Sequence, residues 1–232
     1  MANEKLVRYM TTRSSLSRRA CMQHLQDGEV WVNDEVVTDA GMMIGPNDRV
    51  HLDGYVFEES LTYYYFKFHK PKGVITSMSD PKGRACMAPY LLDYPDSLVP
   101  VGRLDRQSSG LLLVTNDGVF SNQVLHPNFH VPKTYYVQLD RALSKEDEQR
   151  LLMGIILEDG PVQFLSLELI APNQYKVIVD QGRYRMIRRA LLFLRYRVQT
   201  LIRTAIGSVQ LDRLAVGKMK RLTKQERLSL LK

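Results

Sequence analysis

Val101-Gly102-Arg103-Leu104-Asp105 runs through Ser108-Ser109 into Gly110-Leu111-Leu112-Leu113-Val114-Thr115 and stops at Asn116-Asp117-Gly118. A short, unbroken apolar run closed by turn-forming residues predicts a buried strand over Leu111–Thr115, with one acidic side chain on the loop just before it. Outward from that strand, Tyr63–Phe68 is aromatic-rich and strand-like, and Pro71-Lys72-Gly73 turns the chain before Val74-Ile75-Thr76. Thr134–Leu139, Phe164–Ile170 and Tyr175–Val179 add strands, the last two joined by Pro172-Asn173. Ser144 can cap a helix over Lys145–Leu152, a second helix spans about Met186–Leu194, and Thr223-Lys224-Gln225-Glu226 reads as a capping box opening the last one. Strands outnumber helices and do not alternate with them, so the expected class is α+β with a largely antiparallel sheet.

The first 53 residues read as a small domain. Leu16, Ala20 and Leu25 recur near helical spacing after Ser14-Ser15, and Asp27-Gly28 ends that helix. Val30-Trp31-Val32 and Val36-Val37 flank the turn Asn33-Asp34-Glu35, and residues 48–52 alternate as a half-buried strand does. Residues 54–62, with Gly54, Glu58, Glu59 and Ser60, connect this part to a second domain over 63–232.

Of the 232 residues, 44% are apolar and 25% charged, which excludes disorder as the main state. No apolar run approaches the roughly 20 residues of a membrane span, and the first residues lack the apolar core of a signal peptide, so a cytosolic (cytoplasmic) protein without a membrane partner is expected. Cys21 and Cys86 have no Cys or His at ligand spacing, so neither a disulfide nor a metal site is expected. The net charge of +7 is unevenly spread: residues 1–55 and 56–182 are slightly acidic, whereas 183–232 hold 14 basic and 2 acidic groups. Clustering of one sign selects a polyanion as partner.

A carboxylate held on a loop against a rigid strand is well placed to attack an electrophilic carbon or abstract a proton, and a flanking arginine keeps it ionised. From spacing alone the turn or capping reading of Asp105 is the stronger of the two. Tyr135 reads as a core strand aromatic and Arg188 as a phosphate contact.

The run Gly102-Arg103-Leu104-Asp105, with Ser108, Gly110 and the stretch to Gly118, is similar to the signature of RNA pseudouridine synthases of the ribosomal small-subunit type. Lys70-Pro71-Lys72-Gly73, Lys133-Thr134-Tyr135, Gln181-Gly182-Arg183-Tyr184-Arg185-Met186-Ile187-Arg188-Arg189 and the tail from Leu201-Ile202-Arg203 through Ile206-Gly207 to Gly217 resemble further motifs of the same family, in the same order. Ser17-Arg18-Arg19-Ala20 with Asp27–Asp34 resembles the αL RNA-binding module found in many RNA-modifying enzymes.

The resemblance implies a small αL RNA-binding domain followed by a synthase catalytic domain. It also implies isomerisation, without a cofactor, of a specific uridine to pseudouridine in structured RNA. The expected partner is ribosomal RNA or an assembling ribosomal subunit, met by a monomer. Asp105 becomes the essential carboxylate, attacking the sugar, attacking the base or removing a sugar proton. Tyr135 stacks on the uracil and can serve a later proton transfer, and Arg188 pairs with Asp105. A base in a stem is reached only by flipping it out, and Arg103 then enters the vacated stack, the alternative being a salt bridge within its loop. Arg13, Arg18, Arg19, Lys70, Arg183, Arg185 and Arg189 are the expected RNA contacts. His69, Gln181 and Met186 stand where the family usually has Asn, Glu and Gln or Glu. The other reading is a non-catalytic RNA-binding or ribosome-assembly protein that keeps the fold, which has no use for a carboxylate facing a polyanion. A glycoside hydrolase would need a second carboxylate, for which Asp117 is the nearby candidate.

Overall fold

Buried apolar residues fall into separate cores, one within the first 52 residues and two beyond Phe66. The computed structural model describes residues 3–14, 16–55, 57, 62–94 and 98–231. Its described residues divide into two compact units, one ending at Tyr63 and the other beginning at Tyr64. Most of the expected connecting stretch, including Glu58, Glu59 and Ser60, lies outside the described residues, as does Ser15.

The first unit contains β1 (Glu4–Lys5), α1 (Leu6–Arg13), α2 (Arg18–Gln26), β2 (Val30–Val32), β3 (Glu35–Val36), β4 (Met43–Ile44) and β5 (Val50–Leu52). Helix α2 is capped by Ser17, whose hydroxyl accepts the Ala20 N–H at 3.1 Å, so Leu16 lies before the helix. It ends where Gly28 takes a φ of +71°. Asn33 and Asp34 both have positive φ, which makes the β2–β3 connection a tight two-residue hairpin and leaves Glu35 in the strand. Helix α1 was not expected from the periodicity. It buries Leu6, Val7 and Met10 against Cys21 and Leu25 of α2.

The second unit runs β6 (Tyr65–Lys70), β7 (Val99–Val101), β8 (Ser109–Thr115), α3 (Gly118–Leu125), β9 (Lys133–Leu139), α4 (Lys145–Met153), β10 (Ile155–Leu157), β11 (Gly160–Val162), β12 (Ser166–Ala171), β13 (Gln174–Val179), α5 (Met186–Phe193), β14 (Val198–Ile206), β15 (Val209–Gln210), β16 (Met219–Arg221) and α6 (Lys224–Ser229). Among the described residues these build a nine-stranded sheet with the path β12-β13-β9-β14-β8-β6-β16, β7 and β15 pairing at its sides. All pairings are antiparallel except β14 with β8. Ser144 caps α4, and Thr223 with Glu226 forms the expected capping box. Asp117 is not a plain turn residue: it caps α3 by accepting the N–H groups of Val119 and Phe120.

Strand β8 is buried from Gly110 to Thr115 because it lies between two core clusters. Leu111, Leu112 and Leu113 are at most 1% exposed, and each such burial stabilises the fold by about 1.5 to 3 kcal/mol. Strand β6 pairs along one side of β8, while β14 lies beside Ser109-Gly110 and β7 beside Leu113–Thr115 on the other. The loop from Val101 to Ser109 therefore emerges where β7 gives way to β14. Among the described residues no helix is long and apolar enough to cross a membrane.

Candidate active site

Gly110 of β8, Arg203 of β14, Tyr135 of β9 and Val177 of β13 are successive Cα partners, one row across four strands. Directly paired residues share a face, so Arg203 and Tyr135 stand side by side. At the β8 end of the row the loop after β7 turns at Gly102 (φ +73°) and closes on itself through the Ser108 N–H donating to the Asp105 carbonyl at 2.9 Å. The loop, the row and the entrance to α5 enclose a cavity of about 680 Å³, lined by Arg103, Asp105, Lys133, Tyr135, Arg185 and Arg203 among others.

Asp105 is half-buried, and no hydrogen bond or ion pair holds its carboxylate among the described residues. Asp180, also on the cavity wall, is by contrast paired with His130 at 2.9 Å. Arg103, Lys133, Arg185 and Arg203 line the same cavity. Arg203 is 5% exposed; its Nε donates to the Leu111 carbonyl at 2.7 Å and its Nη2 is buried without a hydrogen-bond partner among the described residues. Burial pushes the Lys133 ammonium down, Arg203 adds to that, and Asp180 opposes it. Lys133 donates to the Asp180 carbonyl at 3.0 Å. Tyr135 is 8% exposed and faces this set.

Arg188 does not form an ion pair with Asp105. Its guanidinium is engaged by main-chain carbonyls, Gln107 at 2.9 Å and Val198 at 3.1 Å, with the Ser108 hydroxyl at 3.5 Å. It ties the carboxylate's loop to the start of β14, and the charge of Asp105 reaches it only through space, opposing the downward push of burial and Arg185.

The expected RNA contacts separate into two groups. Lys70 is a correction: it has no exposed surface, and its Nζ donates to the carbonyls of Pro71 at 2.8 Å and Val74 at 2.6 Å, so no phosphate can reach it. Arg183 and Arg189 both clamp Asp159, and Arg13 bridges to Glu4 at 2.6 Å while lying over the Tyr9 ring. Arg18, Arg19 and Arg103 are exposed, and Arg185 is half-buried on the cavity wall; none of the four has a hydrogen-bond or ion-pair partner among the described residues. Met186 packs into the core at 4% exposure, where an amide or carboxylate would need a buried partner, and the His69 ring instead meets the Leu214 carbonyl at 2.7 Å. Arg203 and Lys133 belong to the site, although their motifs in the sequence do not mark them as site residues. A lone arginine inside the apolar run Leu201–Ile206 was the available signal.

Burial pushes the Lys70 ammonium down to about 8, against the pull of Asp105 and with the help of Arg203. The unfolded chain keeps that proton up to the ordinary lysine value, so between about 8 and 10.5 it binds more protons than the folded chain and stability from this group rises with pH. Lys70→Met should therefore lose ground to wild type as pH rises through that window and hold a constant difference below it. Urea midpoints of both proteins at about pH 7, 8.5 and 10 measure this; a difference independent of pH would show that folding does not penalise the Lys70 charge.

A nine-stranded α+β unit with one unpartnered carboxylate in a cation-lined cavity, linked in the chain to a small unit displaying free arginines, defines a class of enzyme that handles nucleic acid. The family model described as RNA pseudouridylate synthase matches residues 64–192, and that of the S4 domain matches residues 6–50. The chain is 33% identical to the ribosomal large subunit pseudouridine synthase B of Bacillus subtilis (strain 168), over 96% of this chain and 93% of that protein. It is 31% identical to the ribosomal small subunit pseudouridine synthase A of Yersinia pestis, over 96% of each. A solved structure described as a crystal structure of pseudouridylate synthase superposes with a TM-score of 0.72 at 28% identity, covering 97% of this chain and 99% of that one. The chain belongs to the RNA pseudouridylate synthase family, with an S4 domain at its N-terminal end, and is an RNA pseudouridine synthase.

Proposed function

We propose that the protein converts a specific uridine of ribosomal RNA to pseudouridine with Asp105 as its reacting carboxylate, residues 63–232 forming the catalytic domain and residues 1–53 the RNA-docking domain, with 54–62 between them. The observation that carries this reading is the Asp105 carboxylate, without a hydrogen bond or ion pair among the described residues, in a cavity whose wall also holds Arg103, Lys133, Tyr135, Arg185 and Arg203. A carboxylate that only held the fold together would be tied by a hydrogen bond or ion pair, as Asp180 on the same wall is by His130. Relatives named for both ribosomal subunits support ribosomal RNA as the substrate, reached in the cytoplasm by a monomer acting on the free RNA or on an assembling subunit.

In the reaction the bond from uracil N1 to the ribose breaks, the base turns, and uracil C5 is joined to the same sugar carbon; the proton leaving C5 is matched by one taken up at N1. The target leaves its stack first, at a cost of a few kcal/mol. Arg103, exposed beside the cavity mouth, is free to fill the gap, and its planar guanidinium can stack on the neighbouring bases. Tyr135 offers its ring to the flipped base and its hydroxyl to a proton transfer. Arg188 acts by holding the carboxylate's loop, and Arg185 meets the phosphate of the flipped nucleotide. Mapping pseudouridine in ribosomal RNA from cells with the gene, without it, and without it but supplied with Asp105→Asn tests the proposal. One site should vanish on deletion and stay absent with the variant. An unchanged map on deletion would overturn ribosomal RNA as substrate, and restoration by the variant would overturn the role of Asp105.

Arg18 and Arg19 occupy the first turn of α2 with their charges unspent. If both meet phosphates, the Arg18→Ala, Arg19→Ala double variant should flatten the plot of log affinity against log salt by about 0.7 to 0.9 per lost contact. An unchanged slope in a binding titration would take this helix off the RNA.

A further inference from the structure

We propose that Thr76 is a positioning residue for the reaction, setting the place of Asp105 through the main chain of Leu104; this rests on the reading of Asp105 as the reacting carboxylate. The carboxylate carries no orienting hydrogen bond of its own, so its position follows from the residues on either side. Leu104, just before it, is tied by a single side chain. Its N–H donates to the Thr76 hydroxyl at 3.1 Å, and that hydroxyl donates to the Leu104 carbonyl at 2.8 Å. Arg106, just after it, is tied to the same segment: its carbonyl accepts the Gly73 N–H at 2.7 Å and its Nε donates to the Gly73 carbonyl at 3.1 Å. Asp105 is thus suspended between two residues, each bonded twice to the segment 73–76.

That segment is itself anchored. The buried Lys70 ammonium gathers the carbonyls of Pro71 and Val74, Val74 is 5% exposed, and the Leu104 side chain is 6% exposed in the same core. The Pro71-Lys72-Gly73 turn therefore serves the site as a strap under the catalytic loop, and Lys70 serves it from beneath without touching RNA. Of the four bonds that hold the loop to the strap, two depend on the Thr76 hydroxyl. Hydroxyl and both peptide groups are satisfied only while Leu104 stays in place, which makes Thr76 the element of the strap that senses displacement of Asp105.

Valine has the shape of threonine without the hydroxyl, so Thr76→Val keeps the packing and removes both bonds, while the Gly73–Arg106 pair retains the loop. A misplacement of about 1 Å at a reacting group can cost about 100-fold in rate. The expected result is a single-turnover rate at saturating RNA that falls about 10- to 100-fold in Thr76→Val, with RNA affinity within about twofold of wild type. Thr76→Ser, which keeps the hydroxyl and drops the methyl, should stay within about threefold of the wild-type rate. All rates are read well below the melting temperature of each variant. A wild-type rate in Thr76→Val would overturn the proposal. So would a serine variant as slow as the valine one, or a rate loss matched by an equal loss of RNA affinity. Asp105→Asn, assayed beside them, separates the two levels: activity in that variant removes the reading of Asp105, whereas an inactive Asp105→Asn with a full-speed Thr76→Val removes Thr76 alone.

Discussion

Asp105→Asn is expected to abolish isomerisation while leaving RNA affinity within a few fold of wild type. The amide keeps the shape of the carboxylate and loses its charge and basicity, which are the properties that nucleophilic attack and proton abstraction both need. The side chain makes no hydrogen bond or ion pair among the described residues, so little native structure is lost with it, and the melting temperature should move by no more than a few degrees. One electrostatic consequence is specific to this cavity. The charge of Asp105 supports the buried Lys70 ammonium against desolvation and its repulsion by Arg203, so removing that charge should push Lys70 below about 8. Single-turnover assays at saturating RNA, with RNA affinity and thermal unfolding measured in parallel, check the prediction. Turnover above a few per cent of wild type would sink the assignment of Asp105.

Gly110→Ala should be the most damaging single-methyl change in the second unit. At φ +107° a non-glycine residue is strained, at a cost of about 1 to 3 kcal/mol. A Cβ there would also stand 2.6 Å from the Arg203 nitrogen and closer still to its carbonyl oxygen, main-chain atoms that cannot swing away. Relief requires β8 and β14 to separate at their parallel pairing, Ile202 with Ser109 and Arg203 with Gly110. Together strain and collision should cost about 3 to 5 kcal/mol, a large part of the 5 to 15 kcal/mol that stabilises an ordinary domain. Urea unfolding should show the midpoint of the second unit strongly lowered, and activity should fall with it because Asp105 and Tyr135 lie on opposite sides of that seam. A midpoint within the error of wild type would show that the two strands are not in contact at Gly110.

Local signals in the chain were sufficient wherever the cause of structure is local. The apolar run before Asn116-Asp117-Gly118, the Ser144 cap and the Thr223–Glu226 box each contain their own hydrogen bonds or their own burial pattern, and each appears as an element close to its expected bounds. Elements with a mixed pattern were missed. Strand β14 carries Gln199, Thr200, Arg203 and Thr204 among its apolar residues, so neither period stands out, yet it is a central strand of the sheet. Helix α3 is short and follows a turn signal that also ends a strand, and only its contact with β7 and the second core reveals why Asp117 is a cap.

The sequence by itself determined the α+β class, the motifs that carry the family, the loop on which Asp105 lies and the surplus of positive charge in the last fifth of the chain. Tertiary structure alone decided which of those charges are available and what each does. Arg183 and Arg189 close on Asp159, Arg13 closes on Glu4, and Lys70 disappears under the catalytic loop. Arg203, far along the chain from Tyr135, comes to stand beside it. The physical reason is range. Caps, turns and apolar periodicity act over a few residues and leave a local imprint, whereas a charge is spent or free according to partners that only the fold brings near, Glu4 for Arg13 and Asp159 for both Arg183 and Arg189.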